Sequence, residues 1–169
     1  MKKIILLAAL FFGLSSTAFA QQKIGHINAD ELLALMPETK AAQTELENFS
    51  NRLQADLTEM ENELTKKIEE FRRNEQMMTT STREIKTKEL QELQGRIQQF
   101  SQSAQQELQS KQVELLQPVI DKASKAIADV AREKGFAYVL DSSESKAVVV
   151  FAEGGEDIMP LVKAKLGIQ

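Results

Sequence analysis

The chain has 169 residues, of which 27% are charged and 5% aromatic, with 21 basic against 25 acidic side chains and neither cysteine nor tryptophan. The acidic balance disfavours bulk nucleic-acid binding, and without cysteine there are no disulfides, thiolate metal sites or cysteine nucleophile. So few aromatic residues suit an elongated helical molecule better than one compact core.

The first twenty residues, MKKIILLAALFFGLSSTAFA, combine two lysines, an apolar run and a small-residue A-x-A ending before Gln21. They read as a secretory signal peptide cleaved after Ala20, because the apolar run is shorter than the roughly 20 residues that a membrane span needs. Losing Lys2 and Lys3 moves the net charge from −4 to −6. No cysteine follows the cleavage site and no second apolar span lies downstream, so an exported, soluble protein of a bacterial periplasm is expected.

KIGHIN (23–28) is a short strand-like run, and Asn28 or Asp30 is placed to cap the turn of helix ELLAL that follows. Pro37 stands where a first helical position belongs, with Glu38 complementing the dipole, so a long helix starts there. Its apolar residues from Leu46 through Phe49, Leu53, Leu57, Met60, Leu64 and Ile68 to Phe71 advance by 3, 4, 4, 3, 4, 4 and 3. That eleven-residue repeat predicts a nearly straight or slightly right-handed pairing. The opposite face is polar, so one side only is buried.

The periodicity lapses over Asn74 to Thr82, and Ser81 with Glu84 forms a capping box that starts a second helix near Thr82. This helix carries Ile85, Leu90, Leu93, Ile97, Phe100 and their successors back to a stop at Gly135. The two helices form an antiparallel arm on the order of 60 Å long. Leu53, Leu64, Ile97 and Phe100 are expected in its seam. Gly95 weakens the returning helix by about 1 kcal/mol relative to alanine, and Pro118 removes a backbone hydrogen bond near the base. These two positions are the expected hinge and kink.

FAYVLD (136–141) and KAVVVFAE (146–153), joined by SSES, predict an antiparallel hairpin, and Pro160 to Leu166 a short helix closing before Gly167. The chain thus divides into a signal peptide at 1–20, a β-rich body from 21–36 and 119–169, and a helical hairpin arm over 37–118 with its tip near 74–82. The fold class is α+β: a long antiparallel α-helical hairpin, a coiled-coil tentacle, on a small β-rich oligomerisation body. A body of about 67 residues is marginal alone, and short strands with open edges invite pairing. Association through Ile24, Ile27, Val139, Val148 and Val150 is expected.

A search for catalysis finds no phosphate-cradling glycine loop, and the one histidine, His26, lies in a short strand with a structural or surface role. No enzyme activity, cofactor or metal is expected. At the tip, Met77 and Met78 are adjacent, so one helix face cannot bury both, and methionine adapts to varied partners. Arg72 to Lys88 holds five bases against two acids, a local +3 in an acidic chain. Phe71, Arg72, Arg73, Met77, Met78, Arg83, Ile85 and Lys86 are therefore the candidate client-binding residues, and the basic tip suits acidic or membrane-surface partners.

The order strand, PETKAAQTELE, hairpin, LLQPVIDKASKAIADVAREKGFAYVLD, Val-rich strand and DIMPLVKAKLG resembles the Skp/OmpH family of periplasmic chaperones over the whole mature chain. Leu115 to Asp141 carries the most specific part of the likeness. The resemblance implies a homotrimer whose three arms enclose a cavity that holds unfolded outer-membrane β-barrel precursors without ATP, with lipopolysaccharide contact as a further expectation. Two departures stand out. This chain is acidic outside its tip, so electrostatic capture of acidic clients is expected to be weaker or confined to the tips, and Met159 occupies a capping position where a hydroxyl is expected. A structural coiled-coil scaffold of the envelope, binding a folded partner or the cell wall, fits the same elements, and amphipathic helices lying on a membrane are a third reading.

Overall fold

The computed structural model describes residues 22–146, 149, 151 and 154–168. The signal-peptide reading of 1–20 lies outside the described residues, as do Val148 and Val150. Strand β1 (Ile24–Ile27) leads into helix α1 (Ala29–Leu35), then the outgoing arm helix α2 (Pro37–Asn74) and a 3-10 turn (Glu75–Met77). The returning helix α3 (Thr80–Lys134) is followed by β2 (Tyr138–Asp141), β3 (Glu156–Asp157) and helix α4 (Met159–Leu166).

Local chemistry accounts for most element ends. The Asn28 side chain accepts the Glu31 N–H at 3.0 Å, which makes Asn28 rather than Asp30 the cap of α1. Pro37 opens α2 where its missing N–H costs nothing. Gly135 ends α3 at φ 72°, a left-handed conformation that a side chain would strain. The start of α3 departs from expectation by one short turn. Thr79, not Ser81, is the cap: its hydroxyl accepts the Thr82 N–H at 3.2 Å and the helix begins at Thr80. In a run of four hydroxyl residues several caps compete, and the one nearest the 3-10 turn wins. At the other end of the chain, Met159 is the first residue of α4 and its N–H is taken by the Asp157 carboxylate at 2.9 Å. That carboxylate does the work expected of a hydroxyl at 159.

The predicted hairpin partner of Phe136 to Asp141 falls mostly outside the described residues; among those described, β2 is paired with the N-terminal strand. Strand β2 pairs with β1, in parallel, with Ile24 opposite Tyr138 and His26 opposite Leu140. On the other edge β1 pairs in parallel with β3, giving the order β2-β1-β3. Of the predicted second strand, Lys146, Val149 and Phe151 are described and lie outside any strand, whereas 147, 148, 150, 152 and 153 lie outside the described residues. Parallel pairing follows from topology: the whole arm and the last turns of α3 form the crossover between β1 and β2.

The sealed core lies almost entirely in the body. Ile27 of β1, Leu32 of α1, Ala123 and Val130 of α3, and Ile158 and Val162 around α4 pack together there. A Cβ on Gly25 would meet Ile158 Cγ2 at 3.0 Å and the Phe136 ring at 3.2 Å, so glycine lets the central strand lie flat against this core. The last four turns of α3 belong to this core, so the arm is continuous with the body through Pro118, which sits inside α3.

Asp141 closes one corner. Its carboxylate accepts the N–H of Ala29 at 3.2 Å and of Ser143 at 3.0 Å, joining the end of β2 to the start of α1. Burial raises its pKa, but these N–H bonds and the nearby Lys146 charge outweigh burial and leave it below the ordinary aspartate value. A folded-state pKa below the unfolded one contributes stability that is fully present above the unfolded value, about 3.9, and is lost as pH falls from there through the lower folded value. Urea midpoints measured from pH 6 to pH 3 are therefore expected to fall less steeply in Asp141→Asn than in the parent; parallel acid limbs would remove Asp141 from the account.

Candidate functional site

The tip, the seam of the arm and one face of the sheet carry continuous exposed apolar surface, and Leu35, Val113 and Phe151 are exposed apart from them. At the tip, Met78 is half-buried beside Phe71 and Leu90, with Lys67, Glu70, Lys86 and Glu89 around them. Met77 on the preceding residue points outward and is 80% exposed, and Ile85 is 59% exposed. The adjacent methionines thus divide the work: Met78 closes the turn and Met77 is presented.

The tip bases are divided in the same way. The Arg83 guanidinium donates to the carbonyls of Glu75 and Met78, both at 3.4 Å, so it braces the turn. Lys86 pairs with Glu89 at 2.7 Å, which lowers the Glu89 pKa. Arg72 and Arg73 remain exposed in the last turn of α2, where their charge also offsets the negative end of the helix dipole. Of the eight predicted tip residues, Met77, Ile85, Arg72 and Arg73 are the ones freely offered to a partner.

Along the arm, Leu53, Leu64, Ile97 and Phe100 line the seam as expected, but each is only half-buried. Beyond the root of the arm, Leu93 alone is sealed. Two helices cover a stripe from one direction each, so water reaches it from both flanks. A Cβ on Gly95 would meet nothing within 4 Å, so a side chain at that position would point into open space.

In the body, strand parity separates the predicted association residues. Ile27 is 2% exposed and Val139 packs against the same core, so both face inward. Ile24 faces the other way at 42% exposed, opposite Tyr138 of β2 at 59%, and Leu140, opposite His26, is 39% exposed on the same face. His26 shares that outer face, half-buried. The resulting apolar sheet face has no cover among the described residues. Tyr138 and Leu140 were missed because Phe136 to Asp141 was expected to pair with residues 146–153; the alternation Tyr-Val-Leu-Asp is the signal that finds them.

Among the described residues, no group of three or more His, Asp or Glu side chains is placed to hold a metal ion. No helix among them is long and apolar enough to cross a membrane.

With this geometry in place, comparison with known proteins is specific. The family model described as outer membrane protein (OmpH-like) matches residues 23–166. The chain is 28% identical over 161 residues to the chaperone protein Skp of Photorhabdus luminescens, covering 94% of each chain. It is 27% identical, with the same coverage, to the chaperone protein Skp of Photorhabdus laumondii. The crystal structure of an OmpH-like protein from Caulobacter crescentus superposes with a TM-score of 0.73 at 19% identity, covering 87% of this chain and 85% of that one. At that identity the structural likeness speaks for the fold alone.

Proposed function

The chain belongs to the OmpH-like outer membrane protein family, and on that premise we propose that it is an ATP-independent periplasmic chaperone that holds unfolded outer-membrane β-barrel precursors between helical arms. The observation that carries this reading is the division of the molecule. Nearly all sealed core is in the body, whereas the arm keeps a long apolar seam half-open to water. A stripe of that kind gives many weak, adaptable contacts and no single tight one, which suits a client without fixed shape.

Chains join, in this reading, through the outer sheet face of Ile24, His26, Tyr138 and Leu140 into a homotrimer whose arms surround a cavity. Gly95 and Pro118 let the arms bend. Release needs no cofactor: folding into the membrane buries more of the client's apolar area than the cavity does. Met77 and Ile85 with Arg72 and Arg73 form the forward contact at the tip, for clients and for a membrane surface or lipopolysaccharide.

Sedimentation of the purified protein with and without a urea-unfolded barrel protein tests assembly and capture together. Co-sedimentation of client with an oligomer is expected; capture of a folded envelope partner, with no protection of the unfolded client, would favour the scaffold reading instead. Met77→Ser with Ile85→Ser is expected to weaken suppression of client aggregation severalfold without changing the oligomer. Met78→Ser with Phe71→Ser is expected to loosen the tip turn, seen as faster amide exchange at Glu75 to Thr82.

A further inference from the structure

The two grooves that flank the arm seam differ in charge. One is lined by Glu45, Arg52, Glu107, Lys111 and Glu114. It is stitched across the helices by Lys111 with Glu45 at 3.4 Å and, nearer the body, by Lys122 with Glu38. The other groove begins at the root of the arm as a cavity of about 250 Å³ walled by Leu33, Leu46, Leu115, Leu116, Val119 and Ile120, with Thr39, Gln43 and Gln112 as its polar groups. Farther out it continues past Ser50, Gln54, Ser101 and Gln105 over Leu53 and Leu108. No ionisable side chain lines either stretch of it.

Sequence spacing extends this flank beyond the grooves. On α3, Gln94, Gln98, Gln102, Gln105, Gln109 and Gln112 recur at steps of three and four, and Leu116 and Ile120 continue the row. All six glutamines are exposed. On α2, Gln43, Glu47, Ser50, Gln54 and Thr58 follow one row at steps of four, three, four and four, so the exposed Glu47 is the one acid within it. In a chain that is 27% charged, this flank of α3 is left to amides and aliphatic carbon, and over the same stretch of α2 Glu47 is its one ion.

We infer that this charge-poor flank, from Ile120 to Gln98 on α3 with Gln43, Ser50 and Gln54 of α2 along the groove, is the client-bearing wall of the arm, and that its occupant is an extended, unfolded polypeptide segment. The inference rests on the chaperone reading above and names the surface on which the client lies. Each glutamine amide offers both a donor and an acceptor, the same pair that an unfolded backbone presents without partners. The apolar depressions at Leu116 and Ile120 and at Leu53 and Leu108 receive side chains. The twenty-two residue steps from Gln98 to Ile120 span about 33 Å of helix, room for about ten extended residues at about 3.3 Å each. A fixed charge there would have to be desolvated by every client, whatever the client's sequence. A second copy of this chain is the poorer occupant, since its own arm surfaces would bring acids and lysines to a wall with nothing to pair them.

The test replaces Gln98, Gln105 and Gln112 together by Glu, and separately by Lys, in the full-length protein. The control places the same number of acids around the charged groove with Ser103→Glu, Gln106→Glu and Ser110→Glu. Binding of a urea-unfolded eight-stranded outer-membrane barrel protein is measured by fluorescence, with circular dichroism and sedimentation as checks on folding and assembly. Both the Glu and the Lys triples are expected to bind the client at least tenfold more weakly, and the control within twofold of the parent. Opposite effects of Glu and Lys would mean that client charge is being read, and equal losses in triples and control would mean a general charge effect; either overturns the inference, as does unchanged binding. A triple that dissociates the oligomer would show that the flank packs against another copy. If the parent itself holds no client, the chaperone reading fails; if it does and the triples hold equally well, this assignment alone fails.

Discussion

Tyr138→Glu combined with Leu140→Glu is expected to turn the proposed assembly into single chains while leaving the protomer folded. Both side chains lie on the outer face of β2, opposite Ile24 and His26 of β1, and both are substantially exposed in the single chain. The substitutions therefore cost the isolated protomer little. In an assembly that covers this face, each carboxylate loses its water without gaining a partner, a penalty of several kcal/mol per group before relaxation. A loss of about 4 kcal/mol would weaken association about a thousandfold. Sedimentation at micromolar concentration should show the oligomer of the parent replaced by a single chain with unchanged helical circular dichroism. A variant that stays oligomeric would move the contact elsewhere, and a parent that sediments as a single chain would remove the cavity on which client holding depends.

The contrast with the inward face explains what the sequence does and does not disclose. Pro37, Asn28, Gly135 and Gly167 mark element ends through chemistry confined to a few neighbouring residues, so their positions are legible without the fold. The arm is legible for a similar reason, since helical periodicity is local. Pairing between Ile24 and Tyr138 joins residues separated by the whole arm, and nothing near β2 announces that its partner is parallel and distant. Strand content was readable there; which side of Val139 faces water was not. At the tip, two adjacent methionines reveal that one must be exposed, but assigning Met77 to solvent needs the 3-10 turn and the Arg83 brace. The charge-poor flank was overlooked for a different reason. A search for apolar stripes finds the seam and passes over a row defined by the absence of ions.

Ile158→Ala is expected to be the most damaging single change, because Ile158 joins the central strand β1 to the start of α4 within the core of the body. It is fully buried, its N–H donates to the His26 carbonyl at 3.0 Å, and its carbonyl accepts the Val162 N–H at 3.0 Å at the start of α4. Truncating a buried isoleucine to alanine costs about 2–5 kcal/mol, depending on how far the site collapses. Collapse is limited on one side by the flat backbone of Gly25 and by the Phe136 ring. A small body has little stability in reserve, and the arm, with its half-open seam, supplies little of its own. The urea midpoint should fall sharply, and association and client holding should fall with it. The same packing predicts coupling. Gly25→Ala alone sets a Cβ 3.0 Å from Ile158 Cγ2, tighter than ordinary contact, and should destabilise by about 1–3 kcal/mol. In the Ile158→Ala background that methyl is gone and the new Cβ partly fills the void, although Phe136 still crowds it. The double variant should therefore lose less than the two single losses combined, by about 0.5–1 kcal/mol. Strict additivity in a urea double-mutant cycle would mean that strand β1 and the α4 entry do not share the contact that the structure shows.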